Sequence, residues 1–333
     1  MAKQNQKVFI SLVLLLSLLS PINSAQAAPI KIAIVYAEGG RGDNGVNDLA
    51  ALGIAQAIKK HNLNPLDIRE QITNGTLGDR ITRVRFLAKN NYKLIICIGA
   101  AYADTVKRIA NEYPNTQFAI IDDQSVALTN VSNLSFALSQ GFYLAGAALA
   151  AASKSGKIAF IADKSDSLAP VNLAAFTKGA KSINSKVRVS SALIDQSSGA
   201  DIQALVVAGN DQVFSTWSKS DLVISTIAGL NSSGRKALIS GVLPDQFFLN
   251  ISAGKKNQYL VVKKRYDFVV DQIIATELAN RNILDILDAS KGIYGRSYGI
   301  NQGGLTVALV SGKGLPAGVQ RIATAIKSGK IKP

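Results

Sequence analysis

The side chains able to do chemistry in this sequence are few, and most fall at the ends of apolar runs. Asp122 and Asp123 close the run QFAIID, and Lys264 closes QYLVVKK just ahead of Arg265-Tyr266-Asp267. Asp43 and Asn47 lie in and just beyond the glycine-rich stretch GRGDNG. Carboxylates, an amide and an ammonium so placed can grip a polar solute through charge-assisted hydrogen bonds. Groups that would turn a grip into catalysis are scarce. His61, the one histidine, lies in KKHN at the end of an expected helix, where it caps rather than shuttles a proton. Cys97, the one cysteine, lies inside the apolar run YKLIICIG, where a thiol packs as a small hydrophobe, and no intramolecular disulfide can form. With a single histidine, H-E-x-x-H cannot occur, and Ser155-Gly156-Lys157 lacks both the upstream glycine and the following Ser/Thr of a phosphate loop. The stretch 40–45 does fit G-x-G-x-x-G, but Asp43 puts a carboxylate where a pyrophosphate would sit. The expectation is a binding protein and not an enzyme: no catalytic residue, no metal and no cofactor.

Residues at strand ends need sheets to hold them. KIAIVYA (31–37) reads as a strand, followed by a helix to His61 with Leu49, Leu52, Ile54 and Ile58 on its apolar face. DIREQIT, a helix carrying Ile81, Val84, Phe86 and Leu87, the strand LIICIG, a helix over 102–112 and the strand QFAIID continue the rhythm. Apolar strands without polar alternation, separated by amphipathic helices, predict a parallel sheet covered on both faces. After NLSFAL the pattern restarts with the alanine-rich helix GFYLAGAALAAAS and the strand KIAFIAD. A helix to Asn184, the strand VRVSSALI, helical turns to Lys219, a strand over 221–228, and the strands ALISGVL and QYLVVKK complete it. A helix over 266–282 is expected to return to the first half. The predicted fold is α/β, with two lobes, each a parallel sheet flanked by helices, and a ligand cleft at the hinge. A chain crossing between lobes more than once makes a hinge that can close on a ligand.

The N-terminus carries the marks of export. Lys3 and Lys7 precede the apolar run Val8–Ser20, which is 13 residues long and is broken by Pro21. A membrane span needs about 20 residues, so the run reads as the core of a signal peptide over 1–27, cleaved after Ala25-Gln26-Ala27. No cysteine lies there to take a lipid, and the expected location is the periplasm. The rest exceeds what one hydrophobic core usually holds. The expected lobes are 28–137 plus 265–297 and 138–264 plus 298–333. The formal charge of +15 could attract polyanions, but no basic stripe interleaved with aromatics follows from it, so a nucleic-acid polymer is not an expected partner. Trp217 reads as core.

The segments AEGGRGDNGVND, LIICIGAAYADTVKRIANEYPNTQFAIID and NVSNLSFALSQGFYLAGAALAAASKSGKIAFI follow one another in an order that resembles the basic membrane protein family of ABC-transporter solute-binding proteins. That group includes purine-nucleoside receptors. SDLVISTIAG, ISGVLPDQ and KKRYD extend the resemblance over nearly the whole chain after the leader. It implies the two-lobed type I periplasmic-binding fold, a small-molecule ligand between the lobes, an ABC permease as partner, and a monomer. It also implies a ligand-contacting set: Asp43, Val46, Asn47, Tyr102, Asp122, Gly229, Leu243, Asp245 and Lys264. Asp43, Asn47, Asp122, Asp245 and Lys264 keep the family's residue types, and Tyr102 offers an aromatic face. Val46 stands where the family has a base-stacking phenylalanine, and Leu243 where it has a ribose-gripping acid. The pocket is therefore expected to be more apolar at those positions and to favour a nucleobase or other less hydroxylated solute over a nucleoside. A ligand sensor and a periplasmic enzyme are the rival readings.

Overall fold

Runs of apolar, largely β-branched residues form the strands, and where such a run is buried on both faces it must be roofed by helices above and below. The computed structural model describes residues 30–195, 199–244 and 256–333, so the expected leader and Asp245 lie outside the described residues. In the first sheet β1 (Ile32–Val35), β3 (Leu94–Ile98), β4 (Gln117–Ile121) and β5 (Val131–Phe136) are buried along their whole length. With β2 (Ile68–Gln71), β11 (Ile286–Asp288) and β12 (Ile293–Tyr298) they give the order β11-β12-β5-β4-β3-β1-β2. All pairings in it are parallel except the edge pair β11–β12.

Strand periodicity sorts the two faces of this sheet. Ala33, Val35, Ile95, Cys97, Phe118 and Ile120 point to one side, where they pack with Val84 and Leu87 of α2 (Leu77–Lys89) and Val106 and Ile109 of α3 (Ala103–Ile109). Against the other side lie α1 (Val46–His61) and α8 (Tyr266–Leu278). The last two helices approach so closely that a Cβ on Gly53 would come within 2.6 Å of the Asp267 carbonyl. The face α1 buries is thus made of Asn47, Ala50, Ala51, Gly53, Ile54 and Ala57, whereas Leu52, expected on the apolar face, is exposed. Phe86, likewise expected inside, lies outside α2 under the Arg69 guanidinium, 5.5 Å from its ring centre.

The second sheet holds β6 (Lys157–Asp163), β7 (Arg188–Ile194), β8 (Gln212–Ser215), β9 (Leu238–Leu243), β10 (Gln258–Lys264) and β13 (Leu305–Leu309), in the order β13-β10-β9-β8-β6-β7. β13 alone runs antiparallel to its neighbour. One face is covered by α4 (Leu138–Ala152), α5 (Ala169–Ile183) and α9 (Ala317–Lys327), the other by α6 (Ala200–Val207) and α7 (Ser220–Ser232). Two expectations exchange here. The run 221–228, expected as a strand, is the middle of α7, and the stretch expected as helical turns contains β8. DLVISTIA is apolar enough for a strand, but Val223, Ile224 and Ile227 recur at helical spacing and bury against the sheet. The four-residue QVFS is too short to announce itself, yet it is wholly buried between β6 and β9.

Between Gly141 and Ala150, α4 is buried without a break, because α5 and α9 flank it above the sheet. Small residues permit that approach. A Cβ on Gly146 would fall 2.0 Å from the Phe176 carbonyl oxygen, and one on Gly179 1.9 Å from that of Tyr143. The two sheets are joined where the chain passes from β5 into α4, from β10 into α8, and from β12 to β13. These passages are hydrogen-bonded to each other: Ala137 N–H to the Tyr298 carbonyl at 3.0 Å, Arg265 N–H to that of Gly304 at 2.9 Å, and Ile300 N–H to the Gln140 side chain at 2.9 Å. Among the described residues, no helix is long and apolar enough to cross a membrane.

Candidate functional site

The three interlobe passages begin at the C-terminal ends of strands, which is where open α/β sheets present their ligand sites. Lys264 ends β10 and Phe136 ends β5. Asp122 follows β4 directly, with φ at 72°, a left-handed turn that an aspartate tolerates better than most residues. The turn carries the carboxylate to Lys264, whose Nζ lies 2.6 Å from Asp122 Oδ2, and the Tyr266 hydroxyl donates to the same oxygen at 2.9 Å. The ammonium also sits 5.7 Å from the Phe136 ring centre and 5.9 Å from that of Tyr266. One carboxylate from the first sheet therefore meets one cation from the second, in a box with two aromatic walls. Burial, reinforced by the neighbouring Asp122, holds the Tyr266 phenol well above its ordinary range, so it remains a donor. Lys264 does not pair with Asp267, which is taken by the Arg265 guanidinium at 2.7 Å.

Lys264 also lines a cavity of about 270 Å³ at the C-terminal edge of the second sheet, with Asn172, Ser215, Thr216, Trp217, Ser218, Val242 and Pro244 among its walls. Its volume suits a small solute, at or just below the usual range of roughly 300–1,000 Å³ for ligand pockets. The loop after β8 supplies most of the polar wall and is itself braced. Asp163 accepts the Ser218 N–H at 3.0 Å and its hydroxyl at 2.9 Å, and Trp217 N–H donates to the Ser215 hydroxyl at 3.2 Å. Asn172, reaching in from α5, is 6% exposed and lines the cavity, where its side-chain amide can meet a solute.

The other expected site residues are placed as follows. The Asp43 carboxylate accepts backbone N–H groups of Gly45 at 2.7 Å, Asn47 at 3.1 Å and Asp48 at 3.2 Å, capping α1. Asn47 is fully buried and pins the preceding loop, accepting from Ala37 N–H at 2.9 Å and donating to the Gly40 carbonyl at 3.0 Å. Val46 is half-buried at the first residue of α1. Tyr102 is 1% exposed in the first core, its hydroxyl donating to the Tyr36 carbonyl at 2.5 Å, so it presents no open aromatic face. Leu243 packs in the second core, and its neighbours Val242 and Pro244 reach the cavity instead. Gly229 lies in the last turn of α7, exposed, and its carbonyl accepts from Ser233 N–H at 3.2 Å. Because 221–228 is a helix running back along the sheet, Gly229 ends at the opposite edge from the cavity and is not brought to the cluster. The structure thus joins Asp122 and Lys264 and leaves the remaining described residues in supporting positions. The polar side chains of the cavity went unexpected, since recognising Ser-Thr-Trp-Ser as a site required β8 to be read as a strand.

The groups that could support catalysis are each held elsewhere. Residues 295–299 have the spacing G-x-S-x-G, but Ser297 lies inside β12, paired to β5, rather than on a strand-to-helix turn. His61 is engaged by the buried Asp271 at 3.0 Å, with Lys60 on its other oxygen at 2.6 Å. Cys97 is fully buried, and burial pushes its thiol far up, away from nucleophilic use. Among the described residues, no three His, Cys, Asp or Glu side chains gather to hold a metal.

Comparison with known proteins bears on the fold and the family. The nucleoside-binding protein BmpA of an ABC transporter in Lactococcus lactis is 28% identical over 245 residues, 70% of each chain. A crystal structure of a transcriptional activator of the comK gene from Bacillus halodurans superposes with a TM-score of 0.68 at 18% identity, covering 90% of this chain and 98% of that one. An ABC-transporter solute-binding protein of Aeropyrum pernix superposes with a TM-score of 0.65, also at 18% identity, covering 91% and 93%. These likenesses show the type I binding-protein fold. The profile of the Bmp family, described as ABC transporter substrate-binding protein PnrA-like, matches residues 30–281, and the chain belongs to that family.

Proposed function

We propose that this protein captures a small polar solute in the periplasm and hands it to an ABC importer, with the solute bound between the C-terminal edges of the two sheets. The observation that carries the reading is the meeting of Asp122 and Lys264 at the interlobe passages, beside a cavity walled by Ser215, Thr216, Trp217, Ser218 and Asn172. A carboxylate, an ammonium, hydroxyls and an amide offer donors and acceptors to a neutral polar ring or a small zwitterion, and Trp217 offers an apolar wall. The relative named as nucleoside-binding supports a nucleoside-like solute. Val46 and Leu243 supply neither a stacking ring nor a carboxylate, which favours a nucleobase or another less hydroxylated member of that class. Chain passage through the hinge at three places supports closure on the solute. A thermal-shift screen of nucleosides, nucleobases, sugars and small acids, followed by calorimetry, tests the reading. A nucleobase bound more tightly than its nucleoside is the expected result. Tight binding of adenosine or guanosine would overturn the preference, and binding of nothing in the panel would overturn the solute class.

A further inference from the structure

The excess positive charge of this chain is confined to one lobe. The segments 138–264 and 298–333, which carry the second sheet, contain 19 Lys and Arg against 7 Asp and no Glu. The first sheet's segments, 28–137 and 265–297, contain 16 Lys and Arg against 15 acids. Within the second lobe the charge is sorted again. The helices α6 and α7 on one face each bear an acid in the first turn, Asp201 and Asp221. The layer on the opposite face, α4, α5 and α9, contains no Asp or Glu, and neither does any residue from 289 to the end of the chain. α5 and α9 both pack on the buried α4, and Gly318 of α9 faces the Ile183 side chain of α5, so the outward residues of these two helices form the surface of this layer. From it project Lys178, Lys181, Arg321 and Lys327, all exposed and none ion-paired among the described residues.

We infer that this helical layer is an adsorption surface for an anionic phospholipid leaflet. Long flexible cations spread over a helix layer match a diffuse field of headgroups better than a shaped acidic protein. Each such cation near an anionic leaflet contributes roughly five-fold in partitioning, an effect that fades within a Debye length of about 10 Å at 0.1 M salt. Adsorption would hold the protein in the plane where a membrane permease sits while leaving the first lobe, nearly neutral, turned to solution. The inference rests on the proposed export of the chain to a compartment bounded by such a leaflet, but not on the identity of the solute.

Sedimentation of the purified chain with vesicles of three parts phosphatidylcholine to one part phosphatidylglycerol tests it. Binding at low salt, its loss at high salt and its absence on pure phosphatidylcholine are expected. A variant carrying Lys178→Gln, Lys181→Gln, Arg321→Gln and Lys327→Gln should bind at least about ten-fold more weakly. A control that removes the same charge from the first lobe, Lys59→Gln, Lys89→Gln, Lys107→Gln and Arg108→Gln, should bind as the wild type does. Equal losses in both variants would reduce the effect to net charge and overturn the assignment to this layer. So would wild-type protein that ignores the anionic vesicles, including the case in which it binds immobilised polyglutamate instead, which would indicate an acidic protein partner. Thermal shifts with solute, measured on the same variants, keep a failure of solute binding distinct from a failure of adsorption.

Discussion

A double-mutant cycle on Asp122 and Lys264 tests whether the interlobe pair is energetically coupled. In Asp122→Ala the Lys264 ammonium, whose side chain is 18% exposed, loses its carboxylate and keeps only two ring faces, and the Tyr266 hydroxyl loses its acceptor. A charge-assisted hydrogen bond contributes about 1.5–3 kcal/mol, and a stranded buried hydroxyl costs about 1–3. Asp122 is 34% exposed, so water can re-solvate part of what is left and the sum belongs at the low end of its range. We expect about 2–3 kcal/mol of lost stability. Lys264→Met keeps the apolar stem and leaves Asp122 with Tyr266 and water, which should cost about 1–2 kcal/mol. With both changes the losses should not add, falling short by about 1–2 kcal/mol. Urea unfolding followed by circular dichroism, and by the fluorescence of Trp217 as the one tryptophan in the chain, measures the three values. Additive losses, or an Asp122→Ala variant as stable as wild type, would show that the pair couples nothing. The same variant should bind its solute at least about ten-fold more weakly, because a tenfold loss needs only about 1.4 kcal/mol.

Gly179→Ala should destabilise the second lobe by about 1–3 kcal/mol or more, because the new Cβ falls 1.9 Å from the Tyr143 carbonyl and α4 and α5 must separate; an unchanged urea midpoint would contradict that packing. Asp79 makes a pH-dependent contribution. Its carboxylate accepts from Arg83 at 2.8 Å, Asn74 N–H at 2.9 Å and Thr73 at 2.8 Å, and these bonds, the Arg83 one foremost, lower its pKa from 3.8 to about 2. As pH falls, the unfolded chain takes up this proton before the folded one does. The contribution is therefore whole above about pH 4 and gone by about pH 2. Thermal melts of Asp79→Asn and wild type across that window should converge at the acid end, and a constant gap would refute the assignment.

Much of the fold is legible in the residues because burial on both faces leaves an uninterrupted apolar strand, and IAIV, LIICI and QFAII could be little else. Legibility fails where length and pairing compete with composition. QVFS becomes a strand because β6 and β9 flank it, and DLVISTIA becomes a helix because the sheet position it might have filled is taken. That single exchange also decides where two stretches lie. A strand over 221–228 would bring Gly229 to a strand's C-terminal end, but it is the Ser-Thr-Trp-Ser loop after β8 that lies there.

Parity is the second limit. ISGVLPDQ locates the end of β9 correctly, yet Leu243 turns into the core while Val242 and Pro244 reach the cavity, and a one-residue choice of face cannot be read from the motif. Residue type is a third. Asp43 and Asn47 have side chains suited to a ligand, but the same acceptors and donors are what an α-helix start and a glycine-rich loop require, and the backbone lies nearer. Asp122 and Lys264 escape that competition for a physical reason. Asp122 sits just beyond the end of a strand, in a left-handed turn, and Lys264 is the last residue of a strand whose chain leaves at once for the other lobe. Asp122 has no helix start nearby to cap, and an ammonium, which only donates, cannot cap the helix that begins at Tyr266, so each is left to satisfy the other, 142 residues apart.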